Sequence, residues 1–365
     1  MTACGWGIPW PVGGGDEFVI LLPDLDSLDA LQAVAHKLVE VMRQTFDLDG
    51  QVVSATFSMG IAVYPDDGAS VDELLARADR AMFYAKSQGR NNFQLFSDMS
   101  SKGLGKKELY IQTRLAQAIR QERIDVWFQP LVGARLDERG QPRLAGMEAL
   151  ARWHDPDLGW ISPASFIPMA ENLGLIGELS DLVRRKALQR FRPWLDKRPE
   201  LHLSINISKR QLFAQGFTDM LLQDAERYGI PVSALVLEVT ESVALMDVEF
   251  AETRLQQLAA AGFELSIDDF GTGYASLSQL HDLPVKELKI DISFVRRAHT
   301  PEGLRLIQAI ISLGQALRLR IVAEGIEDEA TASILRELGV NLFQGYLFGK
   351  PMPADELAAS PLIAG

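Results

Sequence analysis

Apolar segments of strand length alternate with helical patterns from residue 124 onward, and this alternation restricts the possible folds more than any other feature of the chain. Strands that are apolar on both faces and separated by amphipathic helices are typical of a parallel sheet covered by helices. The eight strand-like runs are 124–132, 143–152, 201–207, 235–240, 263–268, 287–291, 320–324 and 341–346. Eight such runs in about 240 residues predict an α/β fold of the (β/α)8 barrel type.

The connection between the first two runs departs from the pattern. Residues 133–142 are too few for a parallel crossover, which needs a dozen or more residues and usually a helix. Residues 137–140 also have the composition of a turn. We therefore expect an antiparallel first strand, and with it a modified TIM barrel.

A shorter α/β pattern precedes the barrel. Candidate strands at 19–22, 56–63 and 92–96 and helices at 28–46 and 70–88 provide little sheet for a free-standing domain. A polar stretch containing Gly and Ser follows, and a helix is predicted at 106–123. The predicted organisation is a partial domain at 1–97, a linker at 98–106 and the barrel domain at 107–365. Residues 1–12 have no periodic pattern, and we expect them to be disordered or not native to the domain.

Composition excludes several classes of function. The chain contains one cysteine, which rules out a disulfide framework and a multi-cysteine zinc site. The formal charge of −13 argues against binding to a nucleic-acid polymer. No apolar run has the ~20 residues that span a bilayer, and no signal peptide is visible. We expect a cytoplasmic location, although a missing N-terminal region could tether a longer native protein to a membrane.

Polar residues interrupt or end seven of the predicted barrel strands. They are Glu148, Asn206, Glu238, Asp268 with Asp269, Lys289 with Asp291, Glu324 and Gln344. Barrels of this type build their active sites at the C-terminal face, so these side chains are predicted to converge. A single polar residue at a strand end could simply cap a helix, but several buried carboxylates need compensating cations.

The ligand types indicate which metal would bind. Carboxylate and amide oxygens are hard ligands that suit Mg²⁺ or Mn²⁺, and the adjacent pair Asp268-Asp269 could bridge two ions. Such a site activates water for in-line displacement at phosphorus. Lys289 could orient or deprotonate that water, neutralise charge in the transition state, or only balance the carboxylates.

The motifs along the predicted barrel resemble those of the EAL family of cyclic-di-GMP phosphodiesterases over residues 107–358. They include Gln129-Pro130-Leu131, Glu148-Ala149-Leu150-Ala151-Arg152-Trp153, Asn206-Ile207-Ser208, Glu238-Val239-Thr240-Glu241, Asp268-Asp269-Phe270-Gly271, Leu288-Lys289-Ile290-Asp291, Glu324-Gly325-Ile326-Glu327 and Gln344-Gly345-Tyr346. The resemblance implies bacterial second-messenger signalling by hydrolysis of cyclic-di-GMP to linear pGpG. It also implies two Mg²⁺ or Mn²⁺ ions and a homodimer formed through this domain.

The resemblance implies a role for each matched residue. The implied metal ligands are Glu148, Asn206, Glu238, Asp268 and Asp269. The implied catalytic residues are Glu324 and Lys289 around the nucleophilic water, with Glu148 and Asp291. The implied substrate contacts are Gln129, Leu150, Arg152, Gln344 and Glu327. Glu241 is expected to hold the loop 270–277. The alternative is a catalytically silent cyclic-di-GMP receptor that signals through partner contacts.

The N-terminal segment resembles the second half of a GGDEF domain, the diguanylate cyclase fold. Matches include Gly14-Gly15-Asp16-Glu17-Phe18 and Ala78-Asp79-Arg80-Ala81-Met82. The family's upstream strand with its metal-binding Asp has no counterpart in this chain, so we expect no cyclase activity. A half domain could also expose core surface and leave the chain poorly folded.

Overall fold

The structure is a computed structural model. It describes residues 9–11, 18–23, 25, 27–42, 45–48, 51–54, 56–87, 91–101, 104–241, 248–271 and 277–364. The glycines and acidic residues of the GGDEF motif, at 14–17, lie outside the described residues, as do residues 272–276 of the predicted loop. Contacts divide the chain into two units, Met1–Ile111 and Gln112–Gly365. The division falls within a helix, and the boundaries at 97 and 106 stay predictions.

The first unit is a small α/β assembly. Its strands are β1 (Pro9–Pro11), β2 (Phe18–Ile20), β3 (Thr45–Leu48), β4 (Gln51–Ser54), β5 (Met59–Ile61) and β6 (Phe93–Leu95). Its helices are α1 (Leu28–Met42), α2 (Val71–Ser87), α3 (Phe96–Ser101) and α4 (Leu104–Arg120), the last of which continues into the second unit. The strands β5 and β6 pair in parallel, with α2 as the crossover, and Leu31, Ala35, Ile61 and Leu95 form a buried cluster. The sequence did not predict the antiparallel hairpin of β3 and β4, because each strand has only four residues and β4 shows no alternating pattern.

The second unit is a closed eight-stranded barrel. Its strands are β7 (Ile124–Leu136), β8 (Pro142–Asp155), β10 (His202–Asn206), β11 (Leu235–Thr240), β12 (Glu264–Phe270), β13 (Glu287–Ile290), β14 (Arg320–Ala323) and β15 (Leu342–Gln344). A ninth strand, β9 (Gly159–Ile161), pairs with the end of β8 outside the ring. The first strand, β7, is antiparallel to both of its neighbours, and the remaining barrel pairs are parallel. The predicted modified TIM barrel is confirmed.

Helices cover the outside of the ring. They are α5 (Pro163–Asn172), α6 (Ile176–Leu195), α7 (Lys209–Leu212), α8 (Phe217–Tyr228), α9 (Val248–Ala260), α10 (Leu277–Asp282), α11 (Ile292–Val295), α12 (Pro301–Ala316), α13 (Glu329–Glu337), α14 (Ala354–Ala359) and α15 (Pro361–Ala364). The helical pattern of the sequence over 209–228 predicts one helix, and this prediction is wrong. The helices α7 and α8 are separate, and Gly216, which precedes α8, takes a left-handed φ of 71° that interrupts a helix. Helix α5 was not predicted; it begins at Pro163 and has Pro168 inside it.

The first two barrel strands are much longer than the others. They contain 13 and 14 residues, whereas the remaining six contain three to seven. Because β7 runs against its neighbours, its first residues lie beside the last residues of β8, and β9 extends this sheet by one strand. We call the start of β7, the end of β8 and β9 together the rim wall. It stands at the edge of the barrel where the parallel strands end.

Among the described residues, no helix combines the length and the apolar content needed to cross a bilayer.

Candidate active site

A single buried lysine stands among the acidic residues at the C-terminal rim. Lys289 on β13 is 1% exposed, and its Nζ lies 2.6 Å from Glu324 Oε1 and 3.0 Å from Glu238 Oε2. The same Nζ lies 3.2 Å from Asp268 Oδ1 and 3.6 Å from Glu148 Oε2. Four strands thus bring their carboxylates to one ammonium group, as expected when the strands of a parallel barrel end at a common face.

Two amide side chains donate hydrogen bonds to Glu148 of β8. Asn206 Nδ2 donates a hydrogen bond to Glu148 Oε1 (2.6 Å), and Gln344 Nε2 donates one to Glu148 Oε2 (2.7 Å). Gln344 Nε2 also lies 3.2 Å from Gln129 Oε1. Both oxygens of Glu148 therefore accept hydrogen bonds, which fixes the carboxylate and favours its ionised form.

A distortion of β12 explains how two consecutive aspartates face the same site. Successive residues of a regular strand point to opposite faces. Here the pairing of β12 with β13 shifts between Ile267 and Phe270, and Asp269 has a left-handed φ of 55°. Asp268, Asp269 and Glu324 each offer a carboxylate oxygen, and these oxygens all lie within 4.8 Å of one another. Such a bulge re-aims a side chain, and here it produces a group of three acids that could hold a metal ion.

Glu241 fixes the chain that follows this pair. It is buried, and its Oε2 accepts a hydrogen bond from the backbone N–H of Gly271 (2.8 Å). Gly271 has a φ of 98°, and a Cβ on it would lie 2.7 Å from Phe294 Cε2. This hydrogen bond lies at the start of the loop; the role of Glu241 in holding the loop stays a prediction, since residues 272–276 lie outside the described residues.

The remaining predicted residues differ in how close they are to the carboxylates. Arg152 is half-buried, and its guanidinium lies over the ring of Trp127 at 5.6 Å. Leu150 pairs with Trp127 across the strands. Asp291 caps α11 by accepting a hydrogen bond from Ser293 N (2.9 Å). Glu327 is largely exposed and forms its ion pair with Arg296 (3.4 Å), so the structure does not join it to the carboxylate group.

Comparison with known proteins identifies the barrel. Residues 112–351 match the model of the EAL domain family, and residues 13–92 match the model of the diguanylate cyclase GGDEF domain. The chain belongs to the EAL family. The individual roles assigned above to its site residues stay predictions.

Two curated relatives match nearly the whole chain, and a solved structure matches about two thirds of it. The chain is 40% identical over 349 residues to the bifunctional diguanylate cyclase/cyclic di-GMP phosphodiesterase MucR of Pseudomonas aeruginosa, covering 95% of this chain and 50% of MucR. It is 36% identical over 342 residues to the cyclic di-GMP phosphodiesterase PdeR of Escherichia coli, covering 93% of this chain and 50% of PdeR. A solved structure described as the PaMucR phosphodiesterase in complex with c-di-GMP matches with a TM-score of 0.64 at 40% identity, covering 68% of this chain and 99% of that one. The chain therefore spans about half the length of these two full-length relatives.

The EAL site has strongly perturbed acids. Burial raises the pKa of Glu324 to about 8, although Lys289 lowers it. Burial and the neighbouring Asp268 and Asp291 raise the pKa of Asp269 to about 6. Burial also raises the pKa of Glu238 well above its usual range, against the opposing effect of Lys289. For Glu148 the desolvation is outweighed by Lys289 and the two amides, so its pKa is lowered.

One ammonium does not balance these acids. Glu148, Glu238, Asp268, Asp269 and Glu324 would carry five negative charges if all were ionised, against one positive charge on Lys289. Burial works against the charged form of Lys289, but the surrounding carboxylates outweigh it and hold its pKa well above the usual range. Glu238 and Glu324, whose pKa values are raised, therefore favour their protonated forms unless a further cation enters.

We expect divalent metal to displace those protons. A cation among the carboxylates favours their ionised forms, so binding should release protons from Glu324 below about pH 8 and from Asp269 below about pH 6. Metal affinity should therefore rise with pH up to about 8. Calorimetric titration of Mn²⁺ at pH 7 in two buffers of different ionisation enthalpy measures the released protons. Equal heats in both buffers would contradict the expectation.

The raised pKa of Glu324 determines how the stability of the metal-free protein changes with pH. Between the usual glutamate pKa of 4.5 and about 8, Glu324 holds more protons in the folded chain than in the unfolded chain. Its contribution to stability is therefore complete at low pH and declines as pH rises through this window. Thermal unfolding with a chelator should show that decline, and saturating Mn²⁺ should reduce it.

Proposed function

We propose that this chain is a metal-dependent phosphodiesterase that hydrolyses one bond of cyclic-di-GMP and releases linear pGpG. The observation that carries the proposal is the group of five carboxylates around Lys289 at the C-terminal rim. The family match and the 40% identity to MucR, whose barrel is solved with c-di-GMP, support the same substrate. Because the chain spans about half of its full-length relatives, the activity of the whole protein is part of the proposal.

The residues at the rim fit divalent metal. They offer carboxylate and amide oxygens, the ligands that Mg²⁺ and Mn²⁺ prefer. The buried Glu238 Oε1 has no hydrogen-bond partner among the described residues, although a buried carboxylate oxygen normally has one. We propose that Glu148, Asn206, Glu238, Asp268 and Asp269 hold two ions. When bound, such ions supply a nucleophilic water and stabilise the leaving oxygen.

The chain's own residues orient the substrate and move the proton. Arg152 presents N–H donors that suit a phosphate, and Gln129 and Gln344 lie side by side beneath it on the inner face of the barrel. Glu324, whose pKa of about 8 lies near neutral pH, is placed to exchange a proton with the attacking water at its carboxylate. The Lys289 ammonium, fixed within 4 Å of four carboxylates, provides positive charge where negative charge develops on the phosphate oxygens.

The test is direct. Purified full-length chain incubated with cyclic-di-GMP and Mg²⁺ or Mn²⁺ should form pGpG, and a chelator should stop the reaction. Binding of cyclic-di-GMP without pGpG formation would leave the alternative, a silent receptor. Absence of binding would reject both.

We further propose that the barrel acts without the N-terminal unit. Removing residues 1–100 should leave the rate of hydrolysis within a few-fold of the full chain, because the ring of strands closes within 124–344. Loss of activity in a folded deletion variant would contradict the domain boundaries.

A homodimer through the barrel, a cytoplasmic location and an inactive GGDEF segment remain parts of the proposal. Light scattering would test the homodimer, cell fractionation the location, and a GTP-turnover assay the inactivity of the GGDEF segment.

A further inference from the structure

Three aromatic side chains of the rim wall lie on the face of the strands that lines the inside of the barrel. Alternate residues of a strand share a face. On β7, Trp127 therefore lies on the face of Gln129, and on β8 the face of Glu148 continues through Arg152 to His154. Trp160 of β9 pairs with His154 across the strands and so lies on the same face. None of these three aromatic residues belongs to the predicted site.

The aromatic rings touch one another and leave one indole open. The ring centroids of Trp127 and Trp160 are 5.0 Å apart, and those of His154 and Trp160 are also 5.0 Å apart. Both contacts are edge-on, an arrangement favoured by aromatic rings. Trp160 nevertheless remains 56% exposed. An indole that is held in place and still exposed is a preorganised contact surface, because little conformational entropy is lost when a ligand covers it.

A cation adjoins this surface. Arg152 lies over the Trp127 ring at 5.6 Å. Its Nη1 donates a hydrogen bond to the carbonyl of Ala151 (2.8 Å), and no ion pair among the described residues involves it. Burial lowers the pKa of Arg152, and Glu148, four residues earlier on the same strand face, opposes that shift. From the inside of the barrel outward along the rim wall, the side chains are carboxylates that suit a metal, a guanidinium that suits a phosphate, and exposed aromatic rings.

We propose that Trp160, supported by Trp127 and His154, is a stacking surface for a purine base of the dinucleotide whose phosphate Arg152 binds. A positive group beside exposed aromatic rings is the general arrangement by which proteins bind nucleotides through both phosphate and base. This inference rests on the proposed function. It adds a surface that binds the base to a site whose metal and phosphate contacts do not touch the base.

The test separates base binding from phosphate binding. In the full chain, Trp160→Ala should raise the KM for cyclic-di-GMP by roughly 5- to 150-fold, the range that base–aromatic stacking provides. The kcat should stay nearly constant, since the lost contact is present before and during the chemical step. Inhibition by inorganic phosphate should be unchanged. Trp160→Phe should recover most of the KM, and Leu306→Ala, which removes an exposed apolar side chain on α12, is the control.

Binding without turnover keeps this test independent of the proposed function. Calorimetry with cyclic-di-GMP and Ca²⁺ in place of Mg²⁺ should show the same loss of affinity in Trp160→Ala, with circular dichroism confirming the fold. An unchanged KM and affinity would overturn the inference while leaving the phosphodiesterase proposal intact. Unchanged affinity with a changed oligomeric state would assign this surface to a protein contact and overturn it too. A wild-type chain that neither binds nor hydrolyses cyclic-di-GMP would reject both proposals.

Discussion

Replacing Glu148 with alanine should reduce the kcat for cyclic-di-GMP hydrolysis by about a thousandfold or more. Each tenfold loss of rate corresponds to ~1.4 kcal/mol of activation free energy, and a catalytic metal lowers that barrier by several times this amount. Glu148 accepts hydrogen bonds from Asn206 and Gln344 and faces Lys289. The variant removes a proposed metal ligand and leaves the amides of Asn206 and Gln344 without their Glu148 acceptor. It therefore affects both the number of metal ligands and the alignment of those that remain.

The measurement is pGpG formation over a range of Mn²⁺ concentrations. We expect the variant to need more metal and to stay slow when saturated. Glu200→Ala is the control, since Glu200 is half-exposed and pairs with Arg143 and Arg198 away from the rim. A kcat within tenfold of wild type would reject the role of Glu148 as a ligand, provided that the two proteins melt at similar temperatures.

Replacing Lys289 with methionine should lower kcat by about 10²–10³, the usual effect of removing one group that stabilises developing charge. Metal affinity should fall far less or rise, because the variant removes a cation that shares the carboxylates with the metal. The methionine keeps most of the apolar stem, which is fully buried. A loss of metal affinity as large as the loss of kcat would contradict this assignment.

The same variant should reveal the structural role of the lysine. Removing one partner of a buried ion pair costs about 3–5 kcal/mol of folding free energy. The expected fall in Tm should be largest with a chelator present and should be reduced by saturating Mn²⁺, which stabilises the folded chain that binds it. Lys186→Met is the matched control, since Lys186 Nζ donates to the backbone carbonyls of Glu122 (2.7 Å) and Ile124 (2.8 Å) outside the site. If both variants lose the same Tm with and without Mn²⁺, the lysine has no special relation to the metal.

The residues at the strand ends could be predicted because parallel strands end together. Glu238 and Lys289 each interrupt an apolar run, so the sequence itself indicates a polar interior at that level of the barrel. The short connection between β7 and β8 likewise determined their antiparallel pairing, since chain length alone forbids a crossover.

Other features depend on tertiary contacts that no local pattern shows. Strand alternation alone would place Asp268 and Asp269 on opposite faces, and only the structure shows that a left-handed φ at Asp269 brings both to the site. The sequence did not predict the aromatic surface at Trp160, because β9 has only three residues and the position of Trp160 depends on the pairing of β9 with β8. Trp127 could have been predicted, because strand alternation places it on the same face of β7 as Gln129.

The reversed first strand also decides where the polypeptide enters the barrel. In an all-parallel barrel the first strand starts at the face opposite the active site. Here Ile124 begins β7 at the catalytic rim, and Arg114 of α4 lies 3.4 Å from Asp157, in the turn between β8 and β9. The residues just before β7 therefore join the barrel at the face where the carboxylates converge, and not at the opposite face. The contact between Arg114 and the β8–β9 turn lies at this same end of the barrel.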